Sequence, residues 1–241
     1  DDLQRQARLS VGASNILSMT LDTRPASLGF WQNQINDLRT QKWNRDDRLT
    51  EIVLQQTDII SFLGLAVPIS ADTHPWLMVL MDAVQDVAFR VATEMKDILR
   101  MPRPDVLAHD LAPPIRTPVH SAFPSGHAAE AFAAAAVLGA LYPKSFVLLR
   151  QMANRIALNR GYAGVHYPID HHAGAVLGDL LGAHIVSRMF AADPRTNPAH
   201  GEYTFATATP PTGSALGVSV EDFALQPPIL AALAARPTGA P

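Results

Sequence analysis

The 241-residue chain contains no cysteine. That absence removes disulfides, thiolate metal ligands and a cysteine nucleophile in one step. Charge is also scarce: 17% of residues are charged against 48% hydrophobic, a balance that describes a folded rather than a disordered chain. The formal net charge of −3 argues against a general nucleic-acid binder, so any functional cations must act locally. Long hydrophobic runs are missing too. The longest apolar stretches, residues 59–71 and 131–143, fall short of the roughly 18 residues a spanning helix needs, and each contains or ends in proline. No transmembrane span is expected. Compartment is not readable from these features; a soluble, periplasmic or secreted protein is the working expectation. The length suits one sizeable core.

What is present is helical. A helix is expected over about residues 26–38, and a long periodic segment opens after Asp46-Asp47, with Ile52, Val53, Ile59, Ile60, Phe62 and Leu63 at helical spacings. Thr73-His74-Pro75 is a start signal for a helix running to about Leu99, which Pro102 and Pro104 stop. Residues 102–124 hold six prolines and form a long irregular loop, a length that suggests function. Further helices are expected over Gly126–Leu141, which is rich in alanine, from Lys144 to about Leu158, and from Pro168 to about Phe190. No strand alternation supports a sheet. The expectation is an all-α, single-domain helical bundle over residues 1–190. Residues 191–241 read as an extended tail rich in Pro, Ala and Thr, with at most a short helix near Ile229 to Ala235, packing on the core or on a neighbouring subunit.

Three motifs carry chemistry. Lys96 precedes Arg103-Pro104 by seven positions near a helix end, where cations complement the negative terminus. In Pro124-Ser125-Gly126-His127, Ser125 is a good N-cap and Gly126 allows close backbone approach. The helix start behind it is a ready anion site. The third motif sets Arg160 before His166 and Asp170. A carboxylate in the first turn after Pro168 can accept one imidazole N–H, which fixes the tautomer and frees the other nitrogen. Each motif alone has a plain structural explanation. Together they gather three cations, neutral donors and two histidines around one oxyanion.

In this conjunction the chain resembles the superfamily that joins the type-2 phosphatidic-acid phosphatases to the vanadium haloperoxidases. The matching stretches cover about residues 96–170. The resemblance implies a helix bundle whose core holds phosphate or vanadate through Lys96, Arg103, Ser125, Gly126 and Arg160. Asn159 is a departure, because many members carry serine before the arginine, and it puts one side-chain hydrogen bond in doubt.

Two enzymes fit these parts. A phosphatase acting on a phosphate monoester would use His166 as nucleophile, held by Asp170, with His127 as general acid. A haloperoxidase would use His166 as the single protein ligand to vanadium, with His127 assisting peroxide, and would oxidise halide, bromide first, with hydrogen peroxide. His120, seven residues before His127, resembles a second active-site histidine of the vanadium bromoperoxidases. The expectation therefore leans to the haloperoxidase-like branch with vanadate as cofactor, phosphate competing for the site and no divalent metal. A non-catalytic self-assembling protein that keeps the anion site is a third reading. The long terminal segments suggest a homo-oligomer. Of the adjacent His171 and His172, the former is expected at solvent or in an outer contact and the latter in packing.

Overall fold

The computed structural model describes residues 6–8, 20–22 and 28–192. The expected tail of residues 191–241, apart from the helix end at Ala191 and Ala192, lies outside the described residues, as does the expected short helix at 229–235. The fold is all-α: α1 (Leu28–Lys42), α2 (Leu49–Leu54), α3 (Ile60–Leu63), α4 (Pro75–Leu99), α5 (Pro104–Leu107), α6 (Gly126–Leu141), α7 (Phe146–Tyr162) and α8 (Pro168–Ala192). One small addition was not foreseen. Gln6–Arg8 and Thr20–Asp22 pair antiparallel as strands of three residues each, β1 and β2.

α6 is the axis of the bundle. It packs most extensively on α8, then on α7 and α4. Thirteen of its sixteen residues are buried, mostly alanine, so neighbouring helices can approach on every side. The approach of α8 is closest. Gly174, Gly178 and Gly182 repeat every fourth residue along one face of α8. A Cβ at each would come within 2.4–2.5 Å of α6 backbone or side-chain atoms near Ser125, Ala129 and Ala136. Contacts that short cannot exist, so alanine at Gly178 would push the helices apart, at a typical overpacking cost of about 1–3 kcal/mol. Ser125 N–H donates to the Asp170 carbonyl at 2.9 Å, which ties the start of α6 to the start of α8.

The long periodic segment expected after Asp46 is broken in two. Asp58 accepts the Ser61 N–H at 2.9 Å and restarts the chain as α3. α7 runs four residues past its expected end. Its last turn is polar, and polarity reads as a terminus in sequence. Here Asn159 donates to Glu51 and Gln55, and Arg160 donates to the Ile52 carbonyl, so the turn is held by α2 and its flank. α4 closes on Arg100 at φ 47°, a left-handed position where glycine is usual.

The amino-terminal helix packs on its own chain. Leu38, with Trp31 and Ile35 beside it, meets Leu111, Ala122 and Tyr167. Arg45 donates to the carbonyls of Tyr162, Ala112 and Leu111, strapping the proline-rich loop to α7. No helix of the described residues is long and apolar enough to cross a membrane.

Candidate active site

The three motifs converge. A cavity of about 180 Å³ opens between α4, α6, α7 and the loop before α6, and Lys96, Arg103, His120, Gly126, His127, Arg160 and His166 all line it. Ser125 and Asp170 sit immediately behind this wall, fully buried.

Each element delivers its residue for a local reason. α6 begins at Gly126, and Ser125 caps it by accepting the Ala128 N–H. The first N–H groups of a helix have no intrahelical acceptor, so they face the cavity with partial positive charge. A Cβ at Gly126 would meet only a Glu130 oxygen, at 3.4 Å, so the glycine keeps the wall open to a ligand. α7 ends with Arg160 in its last turn, and α8 begins with Asp170 in its first.

The hydrogen bonds fix the histidine. His166 Nδ1 lies 3.0 Å from Asp170 Oδ2, which also accepts the Tyr167 N–H at 2.9 Å. A carboxylate accepts, so Nδ1 carries the proton. Arg103 Nη1, which can only donate, lies 3.0 Å from His166 Nε2. Nε2 therefore carries the lone pair, which accepts from Arg103 at the cavity wall. Burial, helped by Arg103 and Lys96, lowers the imidazole pKa well below its usual value and keeps the ring neutral. Asp170 is pushed up to about 7 by burial, while the Tyr167 N–H, Lys96 and Arg103 hold it down.

Lys96, Arg103 and Arg160 are each no more than 4% exposed. Among the described residues none of them is in ion-pair contact with a carboxylate. Burying a charge without a counterion is costly. The cost shows as depression: burial takes Arg160 and Arg103 down to about 10, and burial with Arg103 takes Lys96 down to about 7. Lys96 donates to the carbonyls of Ser121 (2.9 Å), Ala122 (3.1 Å) and Pro124, so it also shapes the loop entering α6. Arg160 spends one Nη2 hydrogen bond on Ile52, and its buried Nε has no partner among the described residues. The cavity is a positively charged hollow that wants an anion.

The chain is similar to known proteins over the residues that build this site. The PAP2 superfamily model matches residues 76–193. Decaprenylphosphoryl-5-phosphoribose phosphatases from two strains of Mycobacterium tuberculosis, CDC 1551 / Oshkosh and ATCC 25618 / H37Rv, are each 36% identical over 127 residues. The match covers 52% of this chain and 67% of theirs. The chain belongs to the PAP2 superfamily. Its fold is also that of a transmembrane PAP2-type phosphatidylglycerolphosphate phosphatase from Bacillus subtilis, with a TM-score of 0.53, 21% identity, and coverage of 68% of this chain and 87% of that one. These PAP2 relatives are phosphatases, which turns the balance away from the haloperoxidase-like branch that His120 suggested. α1, α2 and α3 precede the matched region and buttress the site from outside it.

Several expected residues can be placed. His120 lines the cavity and also braces Arg103: its carbonyl accepts from Nε at 2.9 Å and its Nδ1 from Nη2 at 3.1 Å. His171 takes the outer contact and not the solvent position, the two places expected for it, and His172 is less buried than packing would make it. His171 is buried beside Gly161, 6.1 Å from His166 ring to ring, whereas His172 is half-buried. Asn159 does not line the cavity; it bonds to Glu51 and Gln55 on the outer side of α7. His127 lines the cavity, and burial holds its pKa down to about 3, with Arg160 adding to the effect and the Gln55 and Gln56 carbonyls opposing it. Sequence reading missed Glu130, which also lines the cavity. The available signal was that it is the one carboxylate in the otherwise apolar helix Gly126–Leu141.

Proposed function

We propose that the protein is a phosphatase that hydrolyses phosphate monoesters through a phosphohistidine on His166. The observation that carries the reading is a neutral imidazole whose Nε2 accepts from Arg103 at the wall of a hollow lined by three buried cations without carboxylate partners among the described residues. Arg103 and Arg160 take the phosphoryl oxygens, with the start of α6 supplying backbone donors, and Lys96 adds charge from behind its loop carbonyls. Nε2 attacks phosphorus, and the P–N bond forms as the P–O bond to the alcohol breaks. Burial and then the cations depress His127; the bound dianion opposes both by favouring a charged ring, so the ring can carry the proton that the leaving oxygen needs. Water then attacks the phosphohistidine, gives its proton to His127, and inorganic phosphate leaves. Asp170 keeps the Nδ1 proton in place throughout, and His120 keeps Arg103 aimed.

The names of the Mycobacterium relatives support an ester whose alcohol is part of a larger molecule, and the same oxyanion donor set suits vanadate as a mimic of the pentacoordinate state. The deciding measurement pairs two assays. Purified protein should hydrolyse p-nitrophenyl phosphate, vanadate should inhibit it competitively, and His166→Ala should abolish turnover without lowering thermal stability. Vanadate-loaded protein given hydrogen peroxide and bromide should brominate a dione no faster than His166→Ala. Halogenation without ester hydrolysis would reverse the assignment.

A further inference from the structure

A carboxyl in an anion site is the one feature that phosphate chemistry leaves unexplained. Of the side chains lining the cavity, Lys96, Arg103, Arg116 and Arg160 are cationic, and Glu130 alone is acidic. It stands one turn along α6 from His127, on the same helix face. Its side chain folds back toward the helix start, with Oε1 3.4 Å from the place a Gly126 Cβ would occupy. The Gln85 side chain on α4 hydrogen-bonds to it and holds its orientation.

A phosphoryl dianion brings only acceptors, and the ionised form of Glu130 brings only acceptors too, so in that form they cannot satisfy one another. Protonated or not, the carboxyl keeps an acceptor oxygen. The part of a phosphate ester that does bring donors is an alcohol with hydroxyls of its own. The phosphatase reading puts that alcohol on the α6 side of the cavity. In-line attack by His166 sends the leaving oxygen toward His127, and Glu130 is the next residue of α6 on that side. Apolar Phe89, Ile115 and Pro118 line the remaining wall, where the carbon skeleton would lie. Burial also holds the Glu130 carboxyl up to about 7, which limits its repulsion of the phosphoryl oxygens.

We infer that Glu130 is a specificity-determining residue that accepts a hydrogen bond from a hydroxyl of the leaving alcohol, making phosphate esters of polyols the preferred substrate class. The inference rests on the phosphatase reading.

The test compares kcat/KM for glycerol 3-phosphate and for propyl phosphate, which differ in the alcohol's hydroxyls. Wild-type protein should favour the glycerol ester by at least about tenfold, the scale of one hydrogen bond to a charged group. Glu130→Ala should bring the ratio close to one, and Glu130→Gln, which keeps an acceptor oxygen, should hold an intermediate ratio. Should Glu130→Ala fail to fold, the Glu130→Gln ratio decides, with an unchanged value counting against the subsite. A wild-type ratio near one, or a ratio unmoved in Glu130→Ala, would overturn the inference and leave the phosphatase reading standing. Hydrolysis of neither ester, with His166→Ala indistinguishable from wild type, would overturn both.

Discussion

Two buried arginines on one helix behave in opposite ways. Arg150 and Arg160 are ten residues apart on α7, a rise of about 15 Å, and both are at most 2% exposed. Arg150 meets Asp179 of α8 through both guanidinium ends, and its Cζ sits 4.3 Å above the Phe132 ring. Arg160 donates to one backbone carbonyl and has no carboxylate at ion-pair distance among the described residues. The Nε of each has no partner among the described residues, so the difference is the counterion. The first arginine has its charge paired within the fold, and the second leaves its charge for whatever anion enters. A fold that can supply a buried counterion in one place and withholds it in another marks the second place as a site.

Perturbing the two arginines in parallel tests that contrast. The largest effect should fall on stability at the paired end. Asp179→Ala strands a buried guanidinium and should cost about 3–5 kcal/mol in denaturant unfolding, whereas Arg150→Met with Asp179→Leu should restore most of it. If the double variant is no better than the single, the pair is doing something besides neutralising itself. Arg160→Met should reverse the pattern: kcat on a phosphate ester falls about 100- to 1,000-fold while unfolding free energy holds or rises. A third effect links the two quantities. Inorganic phosphate at a hundred times its Kd should stabilise wild type by about 2.7 kcal/mol. That gain should vanish in Arg160→Met and persist in the Arg150/Asp179 double variant.

The smallest effect concerns pH. Lys96 is lowered to about 7, so its ammonium is intact below that value and lost as pH rises through it. Glu130, raised to about 7, acquires negative charge across the same interval. Both changes disfavour an anion. The affinity of sulfate, whose charge is fixed over this range, should weaken above pH 7 by up to about tenfold per pH unit and per proton. A flat profile would mean that neither group faces the bound anion.

Much of this was readable in the sequence, for identifiable reasons. α4, α6 and α8 have their starts written in local chemistry, Pro75, Ser125-Gly126 and Pro168, and their residues needed no distant partner to be assigned. The convergence of Lys96, Arg103, His127, Arg160 and His166 was legible because three motifs occur together in the order that the family resemblance implies. The end of α7 was not, since Asn159 and Arg160 are held by Glu51, Gln55 and Ile52, more than a hundred residues away. Nor was the role of His120, whose meaning comes from the two contacts with Arg103 rather than from its distance to His127. Which of its two expected places His171 takes was not legible either, because burial of adjacent positions on α8 depends on which neighbour, here Gly161 of α7, leaves room for a ring.

The glycine seam on α8 has a reach beyond packing. Gly174 touches the Ser125 carbonyl region, four residues after Asp170 has accepted the Ser125 N–H. The segments that carry His166 and His127 are thus tied together at the start of two helices, with the Ser125 carbonyl and the small Ala128 side chain against Gly174. On the phosphatase reading, the space between the two imidazoles is governed by how near those helices lie, so a change at the seam should be felt at both histidines.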